Sequence, residues 1–285
     1  MTFKAAAIQM CSGVDPEKNA ASMARLVREA AGHGAIYVQT PEMTGAVQKD
    51  RPGLMAVLRD EDHDIIVQTA GDLARELSIH LHVGSTAILL SDGKIANRAF
   101  LFGPDGRKIC AYDKIHMFDV DLDNGESWRE SAVYRPGDKA VVADLPFAKL
   151  GFGICYDVRF PQLFRAEALA GAQILTTPAA FTRQTGEAHW EVLLRARAIE
   201  NGAFVISAAQ AGMHEDGRET FGHSMIVDPW GKVLAAAGGT GEAIVLADID
   251  IGAVAAARAK IPNLKNAREF ELSLQPELAK GGVTV

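Results

Sequence analysis

Lys149-Leu150-Gly151-Phe152-Gly153-Ile154-Cys155-Tyr156-Asp157-Val158-Arg159-Phe160-Pro161 is the stretch on which the reading of this chain turns. Its first half is a short apolar run with two glycines, the composition of a buried strand. Its second half ends on Phe-Pro, where proline suits the first turn of a helix. A strand that passes into a helix within a few residues makes an elbow. There a side chain projects beyond the strand's carboxyl end, and the next helix turns free N–H groups and its positive dipole end toward it. Cys155 holds that place, and both features favour a thiolate and can hold a developing oxyanion. A lone cysteine is usually a small buried hydrophobe. Cys11, after an apolar strand, and Cys110, inside a hairpin, keep that reading, whereas the elbow and its polar neighbours set Cys155 apart.

Downstream of the elbow the pattern predicts a helix over 161–170, a strand over 173–177 and a helix over 187–201. Strands follow at 204–209, 224–228 and 243–248, with Pro229-Trp230-Gly231-Lys232 as a turn. Upstream, 141–145 with 148–154, and 99–102 with 108–112 across Gly103-Pro104-Asp105-Gly106, read as antiparallel hairpins. A helix over 64–77 precedes a strand at 80–84. At the start of the chain, 3–10 is β-prone, and Asp15-Pro16-Glu17 supplies an N-cap, a first-turn proline and an early acid for a helix to 31. Gly34 ends that helix, and the strand 35–38 stops at Thr40-Pro41-Glu42. Strand and helix alternate, so the class is α/β. No repeat of 20–50 residues and no long polar linker interrupts it, so one domain over 1–272 with a tail over 273–285 is expected.

The 285 residues are 48% hydrophobic, 23% charged and 7% aromatic, which fits a globular protein with a sizeable core and excludes disorder and fibre. A net charge of −7 argues against nucleic acid or an anionic membrane as main partner. No secretory signal or bilayer-length apolar run is visible, and three scattered cysteines make no disulfide framework. A reducing, cytoplasmic setting is expected. No P-loop occurs, and Gly151-Phe152-Gly153 lacks the third glycine of a dinucleotide fingerprint. His80 and His82 alternate on one strand without a third metal ligand. No cofactor and no metal are therefore predicted. A nucleophilic cysteine needs a base, and eight histidines, with His116, His189 and His223 in rich contexts, leave that choice open.

Thr40-Pro41-Glu42, Tyr112-Asp113-Lys114-Ile115-His116 and the elbow together resemble the three signature regions of the nitrilase superfamily of carbon–nitrogen hydrolases. The resemblance runs from about Phe3 to Phe270. It implies a four-layer αββα sandwich, commonly paired into homodimers or higher even oligomers through its outer helices. It also implies a Glu, Lys, Cys catalytic set at Glu42, Lys114 and Cys155, with Glu130 as a fourth member. In that scheme partial desolvation raises Glu42 toward a general-base value, and Lys114 with the Tyr156 N–H holds the oxyanion. His116 and Asp157 would support these groups from behind.

Later segments, 188–200, Ala208-Ala209-Gln210 and 222–231, resemble the branch that contains deaminated-glutathione amidase and, less closely, ω-amidase. This implies an anionic small-molecule amide of the α-ketoglutaramyl kind. N-carbamoyl amino acids, aliphatic amides and nitriles are alternative substrates, and a catalytically silent binding module is the non-enzymatic one. A carboxylate calls for an arginine fork. Arg159 is the first candidate clamp, with Arg183 and Arg195 behind it, and Phe181, Thr182 and His189 would line the same cleft. Glu187 stands where the branch more often has proline and would repel an anion. On the helix 187–201, Trp190, Leu193, Leu194, Arg197 and Ala198 share a stripe that reads as core or interface.

Overall fold

In a computed structural model, which describes residues 1–49, 51–122, 125 and 127–273, the chain opens with strand β1 (Thr2–Gln9), helix α1 (Pro16–Gly32) and strand β2 (Ala35–Gln39). Asp15 caps α1 by accepting the Glu17 and Lys18 N–H groups. Then come α2 (Arg51–Val57), α3 (Ile65–Leu77), β3 (His80–Leu89), β4 (Ile95–Phe102) and β5 (Lys108–Asp113). Two short strands, β6 (Asp119–Asp121) and β7 (Ser127–Arg129), lead to β8 (Val142–Asp144), β9 (Lys149–Phe152) and α4 (Pro161–Leu169). The remainder is β10 (Ile174–Thr176), α5 (Arg183–Asn201), β11 (Phe204–Ser207), β12 (Ala211–Met213), β13 (Glu219–Phe221), β14 (Met225–Val227), β15 (Val233–Ala236), β16 (Ala243–Asp250), α6 (Gly252–Lys260) and α7 (Asn263–Asn266). No described helix is long and apolar enough to cross a membrane.

Two six-stranded sheets, ordered β16-β1-β2-β3-β4-β5 and β15-β14-β11-β10-β9-β8, carry the fold. Strict alternation explains why they stack. On β1, Ala5 and Ala7 join a core shared with Leu150, Phe152, Ile174 and Val205 of the second sheet. Ala6 and Ile8, pointing the other way, pack with Met23 and Leu26 of α1 and Ile66 and Leu73 of α3. The same split recurs on β4, where Ala99 and Leu101 face the second sheet and Phe100 and Phe102 face the helices. On the far side of the second sheet, Phe164 of α4 and Trp190 and Leu194 of α5 close the core. The layers run helix, sheet, sheet, helix, the expected αββα sandwich.

Three expectations shift. β3 runs on to Leu89, well past Gly84, and α5 starts at Arg183 rather than at 187. A 3-10 turn, Cys155–Arg159, separates β9 from α4. The α4 N-terminus therefore lies beyond the cysteine, and the helix dipole invoked at the elbow falls off within a single turn. The expected tail, except for Ser273, lies outside the described residues.

Candidate active site

Both loops that meet across the sandwich are bent by a residue with positive φ that is not glycine. Cys155 has φ 48°, and Met43, directly after Glu42, has φ 55°. Such backbone is costly and persists where its surroundings fix it. At the elbow the Cys155 N–H donates to Pro178 O (2.9 Å). In the Glu42 loop, the Thr44 N–H donates to Ser85 O (2.8 Å) and the Met43 N–H to Ser85 Oγ (3.0 Å). Gln210 Nε2, from the second sheet's side, donates to Glu42 O (3.1 Å) and Met43 O (3.3 Å).

These turns bring Glu42, Lys114, Glu130 and Cys155 together. Lys114 is almost fully buried, and its Nζ lies 2.9 Å from Glu42 Oε1 and 2.9 Å from both oxygens of Glu130. Glu130 opens the 3-10 turn Glu130–Ala132 and also accepts the Phe118 N–H at 2.6 Å. Glu42 Oε2 accepts the Ala180 N–H at 2.8 Å. Cys155 is 8% exposed and shares the cavity wall with Glu42, near enough for each group to shift the other's protonation.

Electrostatics here depart from the expectation. Burial, the largest influence on Glu42, pushes its carboxyl up, but the Lys114 charge and bonds from Lys114, Cys155 and Asn97 outweigh it. The net result lies below the usual range, so Glu42 is not raised. Burial, and then the Glu42 charge, hold the Cys155 thiol well above its ordinary value, with Lys114 opposing them. The resting pair is a thiol beside a carboxylate, not the thiolate that the elbow alone suggested. Lys114 is held well above its ordinary value: burial opposes its charge, but Glu130 and Glu42 prevail. For contrast, burial alone lifts the half-buried Cys110 to about 11.

The 3-10 turn leaves its leading N–H groups without acceptors inside the turn, its first bond running from the Asp157 N–H to Ile154 O. The Tyr156 N–H is one of these leading groups, beside Cys155. Asp157 lies behind and is fully buried. Its Oδ1 accepts the His116 N–H (3.0 Å) and His116 Nδ1 (2.6 Å), and its Oδ2 accepts Tyr112 OH (2.7 Å) and the Ile154 N–H (2.8 Å). One carboxylate thereby ties the elbow to the segment that carries Lys114.

The four residues lie in the wall of a cavity of about 590 Å³, lined also by Tyr156, Phe181 and Thr182. The remaining expected contacts are placed differently. Arg159 and His189 are outside the lining: Arg159 Nη1 lies 3.2 Å from the Nδ1 of an exposed His189, and its guanidinium covers the rings of Tyr156 and Phe181. Arg183 is engaged with Glu187 and Glu219, and Arg195 with Gly231 O and Glu191. Glu187 is exposed and outside the cavity lining, and it shares Arg183 with Glu219. The cations of the lining are Lys49, Arg51, Arg129, Arg218 and Lys114. Arg129 is held by both oxygens of Asp121, whereas Arg218 lies over the Trp128 ring at 4.6 Å with a buried Nε that has no hydrogen-bond partner.

His82 lies between the sheets, 2.8 Å from Tyr37 OH, and burial holds it down at about 3, so its ring is neutral. His80 packs edge-on against Phe147. Among the described residues no group of three or more His, Cys, Asp or Glu could hold a metal ion.

Sequence reading missed Asn97 and Arg218, and quoted Gln210 only as part of a resembling segment, without a role in the site. A signal existed for Asn97, which shares the inward face of β4 with Ala99 and Leu101, where a polar side chain needs a reason. Arg218 has none, because only the β12–β13 hairpin carries it over Trp128.

Residues 4–259 match the carbon–nitrogen hydrolase family. The chain is 40% identical over 232 residues to a deaminated glutathione amidase of Yersinia enterocolitica, covering 80% of each. It is 39% identical over 269 residues to the omega-amidase NIT2 of Mus musculus, covering 94% of this chain and 95% of that one. The crystal structure of the C. elegans NitFhit protein superposes with a TM-score of 0.86 at 34% identity, over 94% of this chain and 65% of that one. With this match and this fold, the chain belongs to the carbon–nitrogen hydrolase family, hydrolases of C–N bonds other than peptide bonds.

Proposed function

We propose that the chain hydrolyses a small amide with an anionic acyl group, of the α-ketoglutaramyl kind, through a thioester on Cys155. The observation that carries this is the buried thiol against Glu42, with Lys114 shared between Glu42 and Glu130 at 2.9 Å, in the wall of one cavity. Glu42 takes the Sγ proton as sulfur attacks the amide carbon. The carbonyl oxygen, now charged, is held by Lys114 Nζ and the Tyr156 N–H. The C–N bond breaks as Glu42 passes the proton to the departing nitrogen, which leaves as amine or ammonia. Water then enters, Glu42 takes its proton, hydroxide attacks the thioester carbon, and the C–S bond breaks with return of the proton to sulfur. Glu130, held by the Phe118 N–H, orients Lys114.

The acyl class is supported by the names of the relatives, deaminated glutathione amidase and omega-amidase, and by cations in a lining whose described carboxylates are Glu42 and Glu130. Deaminated glutathione would yield α-ketoglutarate and cysteinylglycine. Two arginines are candidates to hold that carboxylate: Arg218 in the cavity wall, and Arg159, which lies over the rings of the lining residues Tyr156 and Phe181 and feels the Cys155 charge. We propose also that the outer face of α5 pairs two copies of the chain.

Rapid-quench mass spectrometry with α-ketoglutaramate should show an acyl adduct on Cys155 and none on Cys155→Ala; normal turnover by Cys155→Ala refutes the mechanism. A panel adding an N-carbamoyl amino acid, an aliphatic amide and a nitrile tests the substrate. Turnover confined to one of those refutes the acyl class and leaves the mechanism standing.

A further inference from the structure

Asn97 is 1% exposed on β4, and its side-chain nitrogen lies 2.9 Å from Glu42 Oε1 and 3.2 Å from Glu130 Oε1. Lys114 Nζ donates to the same two oxygens, at 2.9 Å each. Two nitrogens thus bridge one pair of carboxylate oxygens in a closed ring of four polar atoms. Only the NH₂ end of the amide can stand there, because the reverse orientation would set its carbonyl oxygen against two carboxylates. Asn97 Oδ1 is left buried with no hydrogen-bond partner, which a fold tolerates where the other end is needed. The main chain of the same residue accepts the Lys114 N–H at 2.9 Å.

We propose that Asn97 is a positioning residue of the hydrolytic site, holding Glu42 and Glu130 in one fixed arrangement around Lys114. The proposal rests on the base role given above to Glu42. The Ala180 and Phe118 N–H groups hold the two Oε2 atoms, but without the amide the two Oε1 atoms would meet through one ammonium alone. An amide adds a second bridge without adding charge. It occupies Oε1 of Glu42, while Oε2 is held by the Ala180 N–H, so the carboxylate is fixed from both ends in the cavity wall it shares with Cys155. The groups that face this ring are Lys114 after β5, Glu130 on its turn, Cys155 at the elbow and Tyr134, which feels the charges of Glu130, Glu42, Lys114 and Arg218. The bond from Asn97 is also one of the influences that lower Glu42. Its loss moves Glu42 upward, and a base that protonates at higher pH loses its acid limb at higher pH.

Iodoacetamide alkylation of Cys155, which needs no knowledge of the natural substrate, is followed against pH for the wild type, Asn97→Ala, Asn97→Ser and Glu42→Gln. The acid limb of the rate moves up by about one pH unit in Asn97→Ala. It moves by less in Asn97→Ser, whose hydroxyl serves one carboxylate at a time, and in Glu42→Gln it is replaced by a rise at alkaline pH, where the thiol itself ionises. Turnover of α-ketoglutaramate by Asn97→Ala falls about 10- to 100-fold in kcat, with little change in KM. An unmoved acid limb in a folded Asn97 variant, judged by circular dichroism, overturns the proposal and leaves the base role of Glu42 intact. An acid limb that keeps its wild-type position in Glu42→Gln overturns both. Should Asn97→Ala not fold, Asn97→Ser decides on the same criterion.

Discussion

At Cys155 the proton rests on sulfur because burial and the Glu42 charge act together, and Lys114, already shared by two carboxylates, opposes them only in part. Glu42 stays a carboxylate because the Lys114 charge and the bonds from Lys114, Cys155 and Asn97 together outweigh burial, the largest single influence on it. Two measurements follow. Thiolate ultraviolet absorbance at neutral pH, taken as the difference between wild type and Cys155→Ala, should be absent; a full thiolate signal would show a preformed ion pair instead. Lys114→Met removes the cation that lowers Glu42, so the acid limb of kcat/KM should move up, and kcat should fall on the order of 10²- to 10³-fold with loss of an oxyanion donor. The sign carries over to stability. Since folding depresses the Glu42 carboxyl, its pairing stabilises the fold above the ordinary glutamate range and is lost as pH falls through the depressed value. The Cys155 segment could be read for its nucleophile because one elbow carries it. Its charge state could not, since that depends on Glu42 and Lys114, which lie 113 and 41 positions away in the chain.

Between elements, closeness is set by glycine where no side chain fits. A Cβ on Gly84 would meet the Thr40 carbonyl oxygen, Pro41 and Pro178, all well inside van der Waals contact. Gly84 lies in β3 beside the Glu42 loop, and its N–H donates to Thr40 Oγ1 at 3.1 Å. Gly84→Ala must push the Glu42 loop and the Pro178 segment apart, the two sides from which Glu42 and the Cys155 N–H are held. It should cost about 1–3 kcal/mol of stability by urea unfolding and lower kcat in what remains folded. A variant that matches wild type in both would show that the loop yields without moving Glu42. Period-two alternation made the faces of β1 and β4 legible in the sequence, since a strand shows in its own residues what lies on either side. The site beyond the signature segments was less legible for the opposite reason. Arg159 lies four residues from Cys155 yet is absent from the cavity lining, while Arg218 reaches it through a hairpin 63 positions later. Spacing along a chain gives no measure of such a crossing.

Across the whole molecule, α1 and α3 cover one sheet with their apolar sides, but α5 buries only one of its own. Trp190 and Leu194 face the second sheet, whereas Val192 and Ile199, seven residues apart and so on one side of the helix, are 68% and 52% exposed. Trp230 is 56% exposed, with Lys260 over its ring, and the next residue, Gly231, lies so close to Ile199 that a Cβ there would meet the Ile199 side chain. Three large apolar side chains grouped on one outer helix resemble half of an isologous interface, where a two-fold axis would bring Val192, Ile199 and Trp230 against their own copies. Charge would break such contact from both sides at once. Val192→Glu with Ile199→Glu should convert a species of about twice 30.4 kDa into one of 30.4 kDa in sedimentation equilibrium, while the far-ultraviolet circular dichroism stays unchanged because neither side chain is part of a core. The face lies on the far side of the second sheet from Glu42, which is borne by a loop of the first. The monomeric variant should therefore keep an intact Glu42, Lys114, Glu130 and Cys155 set, and the rate of Cys155 alkylation should be that of wild type. A wild-type chain that sediments as a monomer would refute the pairing.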